Sequence, residues 1–206
     1  MDLKQDRVIA YIDGFNLYFG MLESGIEKGK WLNVEAMITS LLKPNQTLVG
    51  VKYFTSRVSG NPNKEKRQRS YLDALKTTSV ELIYGHYQTN TQTCKSCGHL
   101  WTDQKEKKTD VNIASHLLIN AFQNDFDTAI LISGDSDLIP PVDYINKNIK
   151  DKLVAVFFPP SRLNKSLQKV AKGSLVLGRK KILDHQFPEA VTLKSGFVLE
   201  KPKEWK

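Results

Sequence analysis

The stretch "RVIAYIDGFNLYFG" at residues 7–20 decides the fold, because a buried β-strand ends within it at a group of polar residues. Its apolar run covers residues 7–13 and is typical of a strand that is covered on both faces. Asp13, Gly14 and Asn16 follow where the apolar run stops. In open α/β sheets, ligands bind beyond the carboxyl ends of the strands, so an acid and an amide at this point indicate a candidate site.

Four further apolar runs follow, and amphipathic stretches separate them. The runs are "LVGVKYFTS" (48–56), "VELIYGHY" (80–87), "TAILIS" (128–133) and "KLVAVFF" (152–158). Helices are predicted over residues 33–42, 64–76, 109–122 and 138–149. Because strands and helices alternate and the strands are almost continuously apolar, the sequence predicts an α/β fold with a parallel sheet covered on both faces.

Acidic residues also follow the fourth apolar run. The segment "SGDSDLIPP" places Ser133, Asp135 and Asp137 directly after it. These residues are expected to meet Asp13 if the first and fourth strands are neighbours where the strand order reverses. Asp110 joins them if its helix starts beside the same crevice. Clustered carboxylates raise one another's pKa unless a cation is present, and Mg²⁺ or Mn²⁺ prefers such oxygen ligands.

Each acid also has a purely structural interpretation. Asp135 or Asp137 could cap the helix that Pro140 and Pro141 enter, a contribution of about 0.5–2 kcal/mol. Asp13 and Gly14 could form an ordinary turn, and Asp110 could face a helix dipole. A single cap explains one acid but does not explain why the acids collect after strands one and four. The joint pattern therefore favours a metal site.

The composition limits the class of protein. The chain has 206 residues, 40% of them apolar, which is enough to bury one sizeable core. Its opening "MDLKQDR" has no apolar segment behind it, and no run approaches the roughly 20 residues of a membrane span, so we expect a soluble cytoplasmic protein with no membrane partner. A formal charge of +8 makes a polyanionic partner such as nucleic acid plausible.

Basic residues form two clusters that are expected to flank the acidic crevice. Arg57 follows the second strand, and "NKEKRQR" at 63–69 adds Lys64, Lys66, Arg67 and Arg69. Arg162, Lys165 and Lys169 follow the fifth strand. A charged helix face is usually just solvated, but two such clusters beside one acidic pocket predict a sequence-tolerant path for a nucleic-acid backbone.

The segment "TQTCKSCGHLW" holds the two cysteines of the chain. Cys94, Cys97 and His99 could bind structural Zn²⁺, but such sites take four ligands and only His86 is an obvious fourth. The pair could form a knuckle that stiffens a lid, or half of a site that a second chain completes in a homodimer. Two reduced thiols in a loop are the simpler alternative.

The motifs together resemble a known family. "YIDGFNLYFG", "EKKTDVNIASHLL" and "ILISGDSDLIPPVDYI" occur in the order and at the intervals of the NYN domain, a branch of the PIN-like nuclease superfamily. The resemblance runs from about residue 7 to 172. It implies a three-layer α/β/α domain over residues 1–175 with sheet order 3-2-1-4-5 and a Cys-containing insertion at 88–105. The residues from about 176 carry little pattern, so we expect a partly ordered extension over 176–206 whose last residues, "EKPKEWK", fray.

The resemblance also implies a function and roles for the site residues. The implied activity is hydrolysis of phosphodiesters, with RNA as substrate and Mg²⁺ or Mn²⁺ held by Asp13, Asp110 and Asp135. Asp137 is expected to bind through a water or to orient a ligand, and Asn16 to donate to the scissile phosphate. Two further expectations are that Gly14 lets the backbone approach the ligand, and that Ser133 fixes the loop or donates to a phosphate.

Three functions compete at this point. The first is a metal-dependent nuclease, and the second is an RNA-binding module with the same fold and no turnover. The third is a phosphatase or phosphotransferase with Asp13 as the nucleophile. Such a phosphatase is expected to carry a second acid two residues later, and Phe15 stands there, which disfavours the third function.

Overall fold

Strands and helices alternate along most of the chain. The computed structural model describes residues 5–93 and 96–205, and for residues 86–92 and 101–107 it describes the backbone alone. The strands are β1 (Asp6–Asp13), β2 (Gln46–Thr55), β3 (Val80–Tyr84), β4 (His86–Thr93), β5 (Leu100–Lys107), β6 (Thr128–Ile132), β7 (Leu153–Phe158), β8 (Gly173–Val176), β9 (Ala190–Thr192) and β10 (Val198–Glu200). The helices are α1 (Gly14–Glu23), α2 (Val34–Thr39), α3 (Pro62–Leu75), α4 (Thr109–Phe122), α5 (Ile139–Asn148), α6 (Lys165–Val170) and α7 (Arg179–Asp184).

The central sheet is parallel and has the order β3-β2-β1-β6-β7-β8. The five strands predicted from the sequence are β1, β2, β3, β6 and β7, and their predicted order is confirmed. A sixth strand, β8, extends the sheet beyond β7. Because β1 pairs with both β2 and β6, the strand order reverses there, and the carboxyl ends of β1 and β6 lie side by side.

Two apolar layers cover the sheet, as the fully buried strand β6 requires. The alternation along β1 sends Val8, Ala10 and Ile12 to a layer formed with α1, α2, α3 and α7. Ile9 and Tyr11 point the opposite way and pack with α4, α5 and α6. The predicted three-layer α/β/α architecture is therefore confirmed.

The last residues pack against the first of these layers. Trp205 is 7% exposed, and its ring lies 6.2 Å from that of Trp31 and 6.3 Å from that of Tyr71. The expectation that "EKPKEWK" frays is therefore wrong as far as Trp205, because aromatic packing holds a segment that has no periodic pattern. The division of the chain at residue 175 remains a prediction.

Helix α1 and the β4–β5 hairpin are among the elements that were not predicted from the sequence. Helix α1 begins directly after β1, where the Asp13 carboxylate accepts a hydrogen bond from the Asn16 N–H at 3.0 Å. The run predicted as a strand over 80–87 is interrupted at Gly85. Beyond it, β4 and β5 pair antiparallel as a hairpin that leads back to α4. None of the described helices has the length and hydropathy of a membrane span.

Candidate functional site

A cavity of about 260 Å³ lies beyond the carboxyl ends of β1 and β6. Asp13, Asn16, Asp110 and Asp135 all line it, as the sequence predicts. We call it the acidic cavity; its other lining residues are Phe15, Phe19, Lys108, Thr109 and Arg162. Asp137 is exposed and is not among the lining residues, so the structure brings together four of the five predicted catalytic residues.

Asp13 is the last residue of β1 and is held from two sides. Its side chain is nearly buried, with 5% of the residue exposed. The Asn16 N–H donates to Oδ1 at 3.0 Å, and the Ser133 hydroxyl donates to Oδ2 at 3.0 Å. Burial raises the pKa of the neighbouring Tyr53 phenol, and the Asp13 carboxylate raises it further, so this phenol stays neutral beside the site.

The loop after β6 is hydrogen-bonded to the first turn of α1, which follows β1 directly. Ser133 is fully buried, and its Oγ accepts a hydrogen bond from the Asp135 N–H at 3.1 Å. The Gly134 N–H donates to Asn16 Oδ1 at 3.0 Å. Ser133 is thus engaged within the protein, which supports its loop-fixing role. Its contact with a phosphate remains a prediction.

Asp135 combines the two interpretations that the sequence left open. Its Oδ1 accepts the Asp137 N–H at 2.9 Å and so caps a short 3₁₀ turn over Ser136–Leu138. The same half-buried side chain lines the acidic cavity. Capping and ligand binding are compatible here, because a carboxylate has about four acceptor sites.

Two glycines in the site are required by packing. A Cβ at Gly134 would lie 2.0 Å from the Arg162 carbonyl oxygen. A Cβ at Gly14 would lie 2.6 Å from the Tyr53 ring and 2.8 Å from the Phe54 carbonyl oxygen. The close approach at Gly14 that the structure shows is therefore to strand β2. The expectation that this glycine lets the backbone approach a ligand remains a prediction.

Asp110 lies in the first turn of α4, two positions after a residue with a strained backbone. Lys108 has φ 81° and ψ −4°, in the left-handed region that residues other than glycine rarely adopt. Lys108 and Thr109 both line the acidic cavity, and such strain is often found at functional sites. The sequence analysis did not predict Lys108, Phe15 and Phe19 as lining residues. For Lys108 a signal was present, because "EKK" at residues 106–108 belongs to the motif that contains Asp110.

The donor set fits a hard divalent cation that keeps much of its water. Three carboxylates and one amide line the cavity, and oxygen donors are what Mg²⁺ and Mn²⁺ prefer. Among the described side chains, no three acidic, histidine or cysteine groups are close enough to hold an ion together. Mg²⁺ is usually bound by one or two carboxylates with waters and substrate phosphates, so this arrangement is consistent with such an ion.

The predicted basic residues differ in their exposure and in their interaction partners. Arg57 is exposed and its guanidinium lies 5.3 Å from the centre of the Tyr84 ring, while Lys165 is exposed at the start of α6. Arg67 pairs with Glu204 at 3.1 Å. Arg162 pairs with Glu23 and also lines the acidic cavity. It is the one basic residue named in the sequence analysis that belongs to this lining.

The structure describes only some of the predicted zinc ligands. Cys94 and the side chain of His86 lie outside the described residues. Cys97 and His99 are exposed in the connection between β4 and β5. The zinc site therefore remains a prediction.

Comparison with known proteins places the chain in a family. The sequence model of the NYN domain matches residues 7–178. A curated relative, 6-hydroxy-3-succinoylpyridine 3-monooxygenase HspA from Pseudomonas putida (strain DSM 28022 / S16), is 24% identical over an alignment that covers 81% of this chain. That alignment spans 64% of the relative's length.

A solved structure shows the same fold. It is a protein of unknown function from Vibrio parahaemolyticus RIMD 2210633, with a TM-score of 0.61 and 19% sequence identity. The match covers 86% of this chain and 96% of the other. At this identity the likeness concerns the fold alone. Because the domain match covers most of its length, the chain belongs to the NYN domain family, a branch of the PIN-like nucleases.

Proposed function

We propose that the protein is a Mg²⁺- or Mn²⁺-dependent nuclease that hydrolyses phosphodiester bonds in single-stranded RNA. The observation that supports this most directly is the convergence of Asp13, Asp110 and Asp135 on one cavity beyond neighbouring parallel strands. The choice of RNA rests on the family resemblance. A cytoplasmic location and a homodimer remain expectations from the sequence.

Asp13, Asp110 and Asp135 would hold the metal ion. When bound, the ion lowers the pKa of a coordinated water and polarises the phosphoryl oxygens. The hydrogen bonds from the Asn16 N–H and the Ser133 hydroxyl fix the position of the Asp13 carboxylate before substrate arrives. Preorganised charge of this kind is effective because little reorganisation accompanies the reaction.

Other lining residues bind and position the substrate phosphate. The Gly134 N–H fixes Asn16 Oδ1, which leaves the NH₂ group of the same amide to donate to a phosphate oxygen. Lys108 and Arg162 line the same cavity and offset the phosphate charge. Asp137, at the exposed side of the 3₁₀ turn, acts through a water or orients a ligand.

A cleavage assay with a short labelled single-stranded RNA tests the proposal. The RNA is incubated with protein in EDTA, Mg²⁺, Mn²⁺ or Ca²⁺, and single-stranded DNA and duplex RNA are run in parallel. We expect cleavage of single-stranded RNA with Mg²⁺ or Mn²⁺ and none with EDTA. Binding without cleavage under every condition would contradict the proposal and support the RNA-binding module.

A second arm of the assay addresses the monooxygenase relative. That protein's name specifies 6-hydroxy-3-succinoylpyridine as its substrate. The present protein is incubated with this compound, oxygen and a reductant, and hydroxylated product is sought by mass spectrometry. Turnover that Asp13→Asn leaves intact, together with no RNA cleavage, would overturn the nuclease proposal.

A further inference from the structure

A second cavity of about 380 Å³ adjoins the acidic cavity, with Phe15 and Phe19 lining both. These two rings stack with their centroids 6.1 Å apart, so the pair stands between the two cavities. We call the second one the aromatic cavity. Its volume falls in the range typical of small-ligand sites. Its aromatic lining residues are Phe15, Tyr18, Phe19, Tyr53, Tyr71 and Trp205.

The interior of the aromatic cavity is lined by aromatic and aliphatic side chains. Tyr53 and Leu72 are buried in the apolar layer below it, and Trp205 packs against Tyr71 at its end. The Tyr71 hydroxyl donates to the Leu32 carbonyl oxygen at 3.0 Å. Burial raises the pKa of both tyrosines, so both phenols are neutral at physiological pH. The interior therefore favours a flat apolar group.

The polar groups of the lining are largely used within the protein. Gln68 accepts the Val58 N–H through Oε1 at 2.8 Å and donates through Nε2 to the Ser56 carbonyl oxygen at 2.8 Å. Thr55 is buried. The Gln68 amide is thus not available to read the edge of a ligand, and the aromatic lining favours recognition by stacking.

The rim of the aromatic cavity is positively charged. Lys30, Lys64 and Arg67 line it, and none of its described lining residues is acidic. Outside the lining, Glu27 pairs with Lys30 at 3.4 Å and Glu204 with Arg67 at 3.1 Å, so Lys64 supplies the uncompensated charge of the rim. Lys64 is exposed, and its ammonium group has no ion-pair partner among the described residues. A ligand with a flat ring and a negatively charged backbone complements an aromatic interior with such a rim.

We propose that the aromatic cavity binds one unpaired nucleobase of the strand whose phosphate occupies the acidic cavity. This rests on the proposed function, because it assumes that a nucleic-acid strand passes the acids. The shared wall of Phe15 and Phe19 makes the two cavities adjoining subsites for one strand. The base stacks on the aromatic lining with little discrimination between sequences, while Lys64 meets a neighbouring phosphate.

Tyr18 offers the sharpest test, because it lines only the aromatic cavity and is half-buried. Tyr18→Leu removes the ring, and Tyr18→Phe keeps it. The matched control is Tyr144→Leu, an exposed tyrosine on α5 in the opposite layer. Circular dichroism is used to check that all three variants are folded.

Binding is measured with Ca²⁺ in place of Mg²⁺, using a fluorescent single-stranded RNA whose integrity is checked on a gel. A series of RNAs carries one abasic nucleotide at successive positions. We expect one position at which the abasic RNA binds wild type on the order of 10-fold more weakly, the scale of one stacked base. Tyr18→Leu should show a similar loss with intact RNA and no further loss with the abasic RNA.

Tyr18→Phe and Tyr144→Leu are expected to bind like wild type. The inference is overturned if no abasic position weakens binding, or if Tyr18→Leu binds intact RNA as tightly as Tyr144→Leu does. The measurement does not depend on turnover, so the two proposals fail separately. Cleavage without any abasic effect overturns only the base site, whereas an abasic effect without cleavage in Mg²⁺ or Mn²⁺ overturns only the nuclease.

Discussion

Asp13 carries two functions at the scale of one residue. It caps α1 through the Asn16 N–H, and it lines the acidic cavity at the end of β1. The strand places the carboxylate, and the cap and the Ser133 hydroxyl fix its orientation. A change at this position can therefore separate charge from structure, because asparagine is also a good cap.

Asp13→Asn and Asp135→Asn are each expected to reduce metal-dependent cleavage by roughly 100-fold or more, because a bound metal supplies several kcal/mol of charge stabilisation. Asparagine keeps an oxygen for the capping bonds, so stability should change little. Initial cleavage rates at saturating Mn²⁺ and thermal unfolding check the two expectations. Asp151→Asn, at an exposed turn with φ 60°, is the matched control. Near wild-type cleavage by either site variant would show that its carboxylate does not hold the metal.

Gly134→Ala tests the packing of the acidic loop. The added Cβ would lie 2.0 Å from the Arg162 carbonyl oxygen, so the backbone must shift. We expect a loss of about 1–3 kcal/mol in the free energy of unfolding, as for other overpacked sites, together with reduced cleavage. Urea denaturation measures the stability. Gly178→Ala is the control, since its Cβ would meet nothing within 4 Å and should leave both quantities unchanged.

The sequence predicted single residues well where a strand end determines their position. Asp13, Asn16 and Asp135 follow apolar runs directly, so the sheet alone brings them together. Lys108 and Phe19 could not be placed in this way. The position of Lys108 depends on a left-handed backbone conformation that a lysine in the sequence does not predict. The position of Phe19 depends on helix α1, which was not predicted.

At the scale of the elements, the predictable parts are those with a strong hydrophobic period. The five predicted strands and helix α4, over residues 109–122 as predicted, have such patterns. Helix α1 was missed because Gly14 and Asn16 resemble a turn, although Asp13 is its cap. Strand β8 has four residues and is mostly exposed, so its place is set by pairing with β7 and not by its own sequence.

The β4–β5 hairpin carries a prediction about the cysteines. Thiolates suit Zn²⁺, whereas the acidic cavity suits a hard ion, so Cys94 and Cys97 should serve stability or assembly and not catalysis. We expect Cys94→Ser with Cys97→Ser to keep its cleavage activity at a temperature where the protein is folded. If zinc is bound, its removal should lower thermal stability and loosen residues 88–105. Mass spectrometry of native protein measures the metal content.

Ser96→Ala, an exposed change in the same connection, is the control for the cysteine variant. The hairpin ends at Lys107, directly before Lys108 and α4. A folded cysteine variant without any activity would therefore place the pair in the catalytic site.

At the scale of the whole molecule, we expect charge to determine how a nucleic acid is bound. The chain carries a formal charge of +8, and Arg57, Arg162 and Lys165 lie near the ends of β2 and β7. Phosphate contacts release counterions, so affinity for RNA should fall steeply with salt. Arg57→Ala with Arg162→Ala should weaken binding of all sequences alike and reduce the magnitude of the log–log slope by about 1.4, or about 0.7 per contact.

Fluorescence anisotropy over a series of salt concentrations measures that slope. Lys147→Ala with Lys150→Ala, near the C-terminal end of α5, removes the same charge away from the acidic cavity and serves as the control. A salt-independent affinity, or an equal effect of the two double variants, would contradict the predicted phosphate path.

The contact of Gly134 with Arg162 has a consequence for how the protein is made. The loop that carries Asp135 rests against that carbonyl oxygen, and the Asn164 side chain donates to the Gly134 carbonyl oxygen at 3.1 Å. Translation delivers the acids of the site before these supports, because both supports lie later in the chain. A growing chain on the ribosome therefore carries every carboxylate of the site before it carries the two residues that hold the Asp135 loop, so the packing of this loop is completed late in synthesis.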